Sequence, residues 1–258
     1  MLGVMAGLVD THAHLCDAAF DSDLPAVLER ARAAGISAIL SVGENLIDAE
    51  KNLELAARHP MIRAAAGLYP SELSLERAEQ MRAFIRTRKD RLAAIGEVGL
   101  DYWIVRKEAD REIQREIFRR FIDLSVALGL PLNVHSRSAG RHAVEILLQS
   151  GAVKVQLHAF DGKPAAALPA VEAGFFFSIP PSVARSVQKQ NLVRKLPLAS
   201  LLVETDSPVL GPSAGERNEP RNATVALRWI ADLKGIHEAE AAEALAVNTR
   251  RLYGESLS

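Results

Sequence analysis

Short apolar runs alternate with longer amphipathic stretches along the whole sequence. The runs are often β-branched, and Gly, Pro or polar residues flank them, which is typical of strands that are buried on both faces. The pattern therefore predicts eight strands, over residues 7–12, 36–43, 62–68, 92–99, 131–136, 154–160, 174–179 and 200–206.

The clearest helical pattern between these strands lies over residues 108–128, EADREIQREIFRRFIDLSVAL. Gly129 and Pro131 follow it and end the predicted helix. Apolar residues recur in it at a spacing of three or four, which places them on one face of a helix. They are Ile113, Ile117, Phe121, Leu124 and Leu128.

Eight strands, each followed by a helical or irregular connection, match a closed (β/α)8 TIM barrel, an α/β fold of typically about 250 residues. An open doubly wound sheet has the same local pattern and is the alternative. The strand count and the length of 258 residues favour the barrel. We predict one domain over residues 1–258, with two helices packing on its outside from about residue 222 to residue 253.

Composition and charge narrow the class of protein. Hydrophobic residues make up 48% of the chain and charged residues 24%, so a sizeable core is expected. The net charge of −1 argues against a surface devoted to polyanion binding. The single cysteine fits a reducing compartment, the first ten residues are unlike a signal peptide, and no apolar run approaches the ~20 residues of a membrane span. We therefore expect a cytoplasmic protein with no membrane partner and no obligate protein partner.

Residues whose side chains can bind metal ions lie at the ends of several predicted strands. His12 and His14 lie on the same face of the first strand, with Ala13 on the other, because side chains alternate along a strand. The active sites of TIM barrels lie at the carboxyl ends of the strands. Four further residues with metal-binding side chains occupy this position on later strands. They are Glu97, His135, His158 and Asp206.

Four imidazoles and two carboxylates are ligands that zinc, manganese and similar divalent ions accept. Six ligands exceed one tetrahedral site and suit two neighbouring ions that share a bridging carboxylate. Each residue also has an ordinary explanation, such as a hydrogen-bonded histidine pair, a buried histidine, or an acidic residue that closes a turn. These explanations do not account for the same kind of residue ending five of eight strands.

Several motifs resemble the TatD family of metal-dependent nucleases. They are VDTHAHL, AIGEVGLDY, LPLNVHSR, LHAFDG, LLVETDSP and RNEP. The segments SRSAGR, FFFSIPPSV and QKQ are particularly similar to the branch called TatD DNase domain-containing protein 3. The resemblance covers about residues 7 to 253.

The resemblance implies an amidohydrolase-like TIM-barrel hydrolase that cleaves phosphodiester bonds in DNA with divalent ions, either Zn, Mn or Mg. By analogy, His12, His14 and Asp206 would hold one ion, and Glu97 would bridge to a second. His135 and His158 would complete the second site.

One position departs from the family pattern. The family usually carries a histidine after the third strand, where this sequence has Tyr69 in GLYPSE. A neutral phenol can donate a hydrogen bond to a phosphate oxygen, but it cannot supply the charge of an imidazolium. Tyr69 leaves the predicted metal ligands intact. We expect it to affect the efficiency of DNA hydrolysis or the choice of substrate.

The expected mechanism is hydrolysis by water that two metal ions activate. Asp206 is the candidate for orienting that water and taking its proton, and Glu97 is the bridging catalytic carboxylate. Glu204 shares a strand face with Asp206 and is expected either to orient a ligand or to form a buried ion pair. Arg137 and Arg217 are candidate phosphate clamps, with surface solvation as the alternative.

The expected partner is single-stranded DNA or DNA ends. Two other functions use the same residues. An amidohydrolase could act on a C–N or ester bond at this rim, although no strand end offers the lysine that many such enzymes use as a bridge. A non-catalytic barrel could bind nucleic acid and retain a vestigial metal site.

Overall fold

The alternating pattern corresponds to a ring of eight parallel strands in the computed structural model, which describes residues 7–257. Each strand pairs with the next in sequence order from β1 to β8. The strands are β1 Leu8–Ala13, β2 Ile36–Ser41, β3 Ile62–Ala66, β4 Ala94–Gly99, β5 Leu132–His135, β6 Val155–Leu157, β7 Phe176–Ile179 and β8 Leu201–Val203.

Hydrogen bonds between β1 and the end of β8 close the ring. The Thr11 hydroxyl donates to the Val203 carbonyl at 2.8 Å, and the Asp206 amide donates to the His12 carbonyl at 2.8 Å. An open doubly wound sheet would instead reverse its strand order and leave two edges. The TIM-barrel prediction is confirmed.

Helices cover the outside of the ring. The predicted helix over residues 108–128 is present with those bounds and ends at Gly129, which adopts a left-handed φ of 68°. The helices are α1 Leu24–Ala33, α2 Leu46–Arg58, α3 Leu75–Arg88, α4 Glu108–Leu128, α5 Gly140–Gln149, α6 Pro164–Glu172, α7 Val187–Lys195, α8 Ala223–Lys234 and α9 Glu238–Tyr253.

Five strands end earlier than the sequence pattern predicts, and the sixth and eighth differ most, by three residues each. β6 ends at Leu157 and β8 at Val203, whereas the apolar runs continue to residues 160 and 206. Ala159 and Asp206 adopt positive φ values of 39° and 56°, which are incompatible with an extended strand. The chain therefore leaves the sheet at the positions that bear the candidate functional side chains.

The interior of the barrel is apolar at its amino-terminal end. Val9, Leu40, Phe176 and Leu202 point into it, and the end of α9 contributes Tyr253 to the same cluster. The prediction that both C-terminal helices pack on the outside was therefore incomplete. α8 and most of α9 lie outside, whereas the end of α9 forms the floor of the barrel because its apolar side chains fill the space below the strands.

A polar layer lies directly above this floor. The Tyr253 hydroxyl donates to Gln156 Oε1 at 2.6 Å and accepts from Asn133 Nδ2 at 3.4 Å. Gln156 also donates to Ser178 Oγ at 2.8 Å. All four side chains are buried, so these hydrogen bonds satisfy groups that would otherwise be costly to bury.

We expected the first ten residues to be unlike a signal peptide. Residues 1–6 of this segment lie outside the described residues. Across residues 7–257, none of the helices has the combined length and apolar character that crossing a bilayer requires.

Tyr253 is expected to be important for stability because it combines burial with two hydrogen bonds. Tyr253→Phe should lower the free energy of unfolding by about 1–3 kcal/mol, since Gln156 and Asn133 lose a buried partner. Tyr253→Ala should cost about 3–5 kcal/mol through the cavity it leaves. Urea unfolding followed by circular dichroism measures both, with the exposed Glu243→Ala on α9 as a control expected within about 0.5 kcal/mol of the parent chain. Equal stability of the Tyr253 and Glu243 variants would contradict the role of the floor.

Candidate metal centre

The carboxyl ends of the strands bring all six predicted ligands together. Glu97 from β4 lies at the centre of the group and is 1% exposed. Four imidazoles lie within 4 Å of its carboxylate, and one further carboxylate lies within 4 Å of two of those imidazoles. They are His12, His14, His135 and His158, which approach Glu97 directly, and Asp206, which approaches the first two.

Four donor atoms form a compact group on one side of the Glu97 carboxylate. The His12 and His14 Nε2 atoms are 3.2 Å apart, and both lie within 3.4 Å of Asp206 Oδ1. Glu97 Oε2 lies 3.4 Å from His14 Nε2 and 3.7 Å from His12 Nε2. Ligands at about 2.1 Å from a tetrahedral ion stand about 3.4 Å apart. The spacing therefore fits a single divalent cation without rearrangement.

A second group of donors lies on the other side of the same carboxylate. Glu97 Oε1 is 2.5 Å from His135 Nδ1 and 2.8 Å from His158 Nε2, and these two nitrogens are 3.2 Å apart. Three protein donors leave a coordination position open, as is typical of catalytic metal sites. The two groups share Glu97 through different oxygens, which is the arrangement of a bridging carboxylate.

Two buried side chains that sequence reasoning did not single out fix the histidine rings. Asn133 Oδ1 accepts from His12 Nδ1 at 2.7 Å, and Asp101 Oδ2 accepts from His135 Nε2 at 3.0 Å. Each bond occupies one ring nitrogen and leaves the other directed at the donor group. Gly96 makes room for this packing, because a Cβ there would lie 2.6 Å from the Asn133 Cβ.

The sequence carried a signal for one of these residues. Asn133 lies two positions before His135 on β5, so the strand period places it on the same inward face. Asp101 follows its strand by two residues, and only the fold shows that its carboxylate turns back toward His135.

Charge compensation holds the buried cluster together. Burial opposes ionisation of Glu97, but the charges of His158 and His135 hold the pKa of Glu97 well below its usual range. Burial likewise opposes protonation of His12, yet the hydrogen bond to Asp206 and the charge of Glu97 raise the pKa of His12 to about 10. Burial and the nearby charge of His12 lower the pKa of His158 to about 4. The cluster is thus a set of carboxylates that already bind positive charge, which metal ions can replace.

Glu204 lies below the cluster and links it to the polar layer. Its Oε1 accepts from the Ala159 amide at 2.8 Å, and its Oε2 accepts from the Ser178 hydroxyl at 2.5 Å. Burial raises the pKa of Glu204 to about 8. His158 Nδ1 is 3.8 Å from Glu204 Oε2 and has no hydrogen-bond partner in the described part of the chain. From this position Glu204 can orient His158, so its orienting role stays a prediction.

A cavity of about 420 Å³ opens beside the metal centre and is lined by Tyr69, Arg137, Asp206 and Lys189, among others. The Tyr69 hydroxyl donates weakly to Asp101 at 3.4 Å, and burial raises the pKa of Tyr69, so the phenol is neutral. The Arg137 guanidinium lies 5.1 Å from the centre of the exposed Trp103 ring. Tyr69 and Arg137 are therefore placed where a substrate can reach them.

Arg217 is placed differently from Arg137. Its guanidinium donates to Asp23 at 2.7 and 2.8 Å and to Glu219 at 3.1 Å, and it lies over the Phe20 ring. It does not line the cavity that holds Asp206. The structure thus does not bring Arg217 together with the metal centre, because acidic neighbours already engage its charge.

Comparison with known proteins agrees with this geometry. The family model "TatD related DNase" matches residues 9–254. The human protein named deoxyribonuclease TATDN3 is 44% identical over 96% of this chain and 94% of its own length. An uncharacterised metal-dependent hydrolase of Bacillus subtilis, YabD, is 33% identical over 95% of this chain and 98% of its own length.

A solved structure from Escherichia coli K12, the TatD homologue YJJV, superposes with a TM-score of 0.87. It is 28% identical and covers 95% of this chain and 97% of that one. The resemblance predicted from the sequence motifs is confirmed. This chain belongs to the TatD-related DNase family, a family of metal-dependent hydrolases that act on ester bonds.

Proposed function

We propose that this protein hydrolyses phosphodiester bonds in DNA with two divalent cations held at the mouth of the barrel. The observation that carries the proposal is the position of Glu97, whose two carboxylate oxygens face two separate groups of donor atoms. His12, His14 and Asp206 would hold one cation with Glu97. His135 and His158 would hold the other.

The donor chemistry favours zinc or manganese over magnesium. Four of the six proposed ligands are imidazole nitrogens, which zinc and manganese accept, whereas magnesium prefers oxygen ligands and retains much of its water. Bound cations would neutralise charge on the phosphate and lower the pKa of a coordinated water toward about 7.

The side chains around the cavity supply the remaining functions. Asp206 contributes Oδ1 to the four-donor group and also lines the cavity, so its carboxylate can orient the attacking water and receive its proton. Arg137 can donate two parallel hydrogen bonds to phosphate oxygens, as guanidinium geometry allows. Glu204 would hold His158 and the Ala159 peptide in place from below.

The size of the cavity supports a single strand or a strand end as substrate. A cavity of about 420 Å³ lies in the range that encloses one ligand of nucleotide size. The human relative is named a deoxyribonuclease, which supports DNA as the polymer.

Glu97→Ala should abolish both activity and correct metal loading, because each donor group loses a member. We expect cleavage of a single-stranded oligonucleotide to fall more than about 100-fold, since even residues that only orient ligands contribute 10–100-fold. Metal content by atomic absorption should fall in parallel, while far-UV circular dichroism stays unchanged. The exposed Glu54→Ala on α2 is the matched control and should retain full activity.

A substrate panel distinguishes the proposed activity from the alternatives. It contains oligonucleotides, p-nitrophenyl phosphodiesters and cyclic amides, each with and without Mn²⁺ or Zn²⁺. Metal-dependent cleavage of the amides alone would identify an amidohydrolase, and DNA binding without any cleavage would identify a non-catalytic barrel.

Asp101→Asn should weaken metal binding without unfolding the chain. The amide oxygen can still accept from the Trp103 and Ile104 amides, but it loses the charge that orients His135 and raises its basicity. We expect an affinity for Zn²⁺ about 10–100-fold weaker, measured by competition with a chelating dye. Affinity equal to that of the exposed control Asp90→Asn would show that Asp101 does not act through His135.

Tyr69→His should increase the rate of DNA cleavage, because an imidazole in the cavity can carry positive charge toward the phosphate. Steady-state kinetics on a single-stranded oligonucleotide measure the change. Tyr69→Phe is the matched control: it keeps the ring and removes only the hydroxyl, so it should not raise the rate. An unchanged or lower rate in Tyr69→His would mean that the phenol is already suited to the natural substrate.

A further inference from the structure

A lysine outside the barrel strands faces the same cavity as the proposed ligands. Lys189 lies in the first turn of α7, where the Ser186 hydroxyl caps its backbone amide. Its side chain lines the cavity together with Arg137, His158 and Asp206. No strand-end pattern could predict it, because it belongs to a helix that follows the seventh strand.

The loop after β6 holds the ammonium group at this position. The Ala159 carbonyl accepts from Lys189 Nζ at 3.1 Å, while the Ala159 amide donates to Glu204 Oε1 at 2.8 Å. Ala159 adopts a φ of 39°, a conformation that costs free energy for alanine and persists only where the surroundings impose it. In this left-handed conformation, Ala159 binds Lys189 through its carbonyl and Glu204 through its amide.

The neighbouring side chain fixes α7 against the same loop. Gln188 Nε2 donates to the Gly162 carbonyl at 2.7 Å and to the Phe160 carbonyl at 3.3 Å. Lys189 is therefore part of a built wall of the cavity, not a mobile surface side chain.

The charge of Lys189 is not neutralised by a direct contact. Among the ion pairs of the described residues 7–257, none within 4.0 Å involves Lys189, and its one hydrogen-bond acceptor is the neutral Ala159 carbonyl. The carboxylates of Glu204, Asp161 and Asp206 act on it only from farther away. Arg141 and Arg217, by contrast, pair with Glu145 and Asp23. An ammonium has three donors, so Lys189 can still bind an anion in the cavity.

We propose that Lys189 binds a non-bridging oxygen of the scissile phosphate. This inference rests on the proposed phosphodiesterase function and adds a residue to it. Lys189 supplies a positive charge next to the metal centre, as a compact cation does at many phosphate sites. Burial lowers the pKa of Lys189, whereas the charges of Glu204 and Asp161 act in the opposite direction. Lys189 compensates for the neutral Tyr69 on the cavity wall.

Substitution of Lys189 tests the contact in the metal-loaded enzyme. Lys189→Met keeps the length and apolar stem of the side chain but removes its charge, and kcat should fall by about 100-fold, the effect of losing one donor to a transition-state oxyanion. Lys189→Arg should recover part of that loss because it restores the charge. The matched control is Lys195→Met, at an exposed position of the same helix, with kcat unchanged.

Binding of inorganic phosphate to the Mn²⁺-loaded enzyme provides a readout independent of turnover. Isothermal titration should show affinity at least about tenfold weaker in Lys189→Met than in the parent chain, with no loss in Lys195→Met. A purely structural role would instead lower the melting temperature in Lys189→Met and leave phosphate affinity in the folded variant unchanged.

The outcomes separate the two proposals. Unchanged kcat and phosphate affinity in Lys189→Met, with a parent chain that cleaves DNA, would overturn the role of Lys189 and leave the function intact. A parent chain that cleaves no phosphodiester, while Lys189→Met still loses phosphate affinity, would overturn the function and leave the anion site standing.

Discussion

Compensation of charge at the mouth of the barrel is the constraint on which the rest of the structure depends. A carboxylate that is 1% exposed, as Glu97 is, would be prohibitively costly without positive partners. The imidazoles provide those partners, and each of them is itself buried or nearly so. The burial of each charge in the cluster therefore depends on the opposite charges around it.

This set needs support from layers below it. Asn133 holds His12, Ser178 and the Ala159 amide hold Glu204, and Gln156 connects this level to the Tyr253 hydroxyl. The interior thus changes from apolar at the floor, through neutral polar groups, to ionisable groups at the mouth. Such a gradient lets the ionisable groups remain oriented while the apolar end contributes most of the hydrophobic stabilisation.

The sequence predicted the barrel and the six clustered residues because both follow from short-range periodicity. Alternation along a strand placed His12 beside His14, and the strand count required their neighbours to meet at one rim. Except for Asn133, the residues that escaped prediction depend on long-range geometry. Asp101 turns back after its strand, Lys189 reaches in from a helix, and Tyr253 enters from below, so their positions follow only from the assembled fold.

The prediction for Arg217 also depended on long-range geometry that the sequence does not reveal. Its residue type suited a phosphate clamp, but the fold places Asp23 and Glu219 against it. A local motif cannot reveal which opposite charge a distant segment will bring.

The four-donor group joins the first strand to the segment that follows the last one. During translation, His12 and His14 emerge from the ribosome long before Asp206, by on the order of ten seconds or more at ordinary elongation rates. A nascent or prematurely terminated polypeptide would hold only part of the four-donor group and could not close the ring through the Asp206 amide. Assembly of the four-donor group is thereby delayed until nearly all of the barrel has been made.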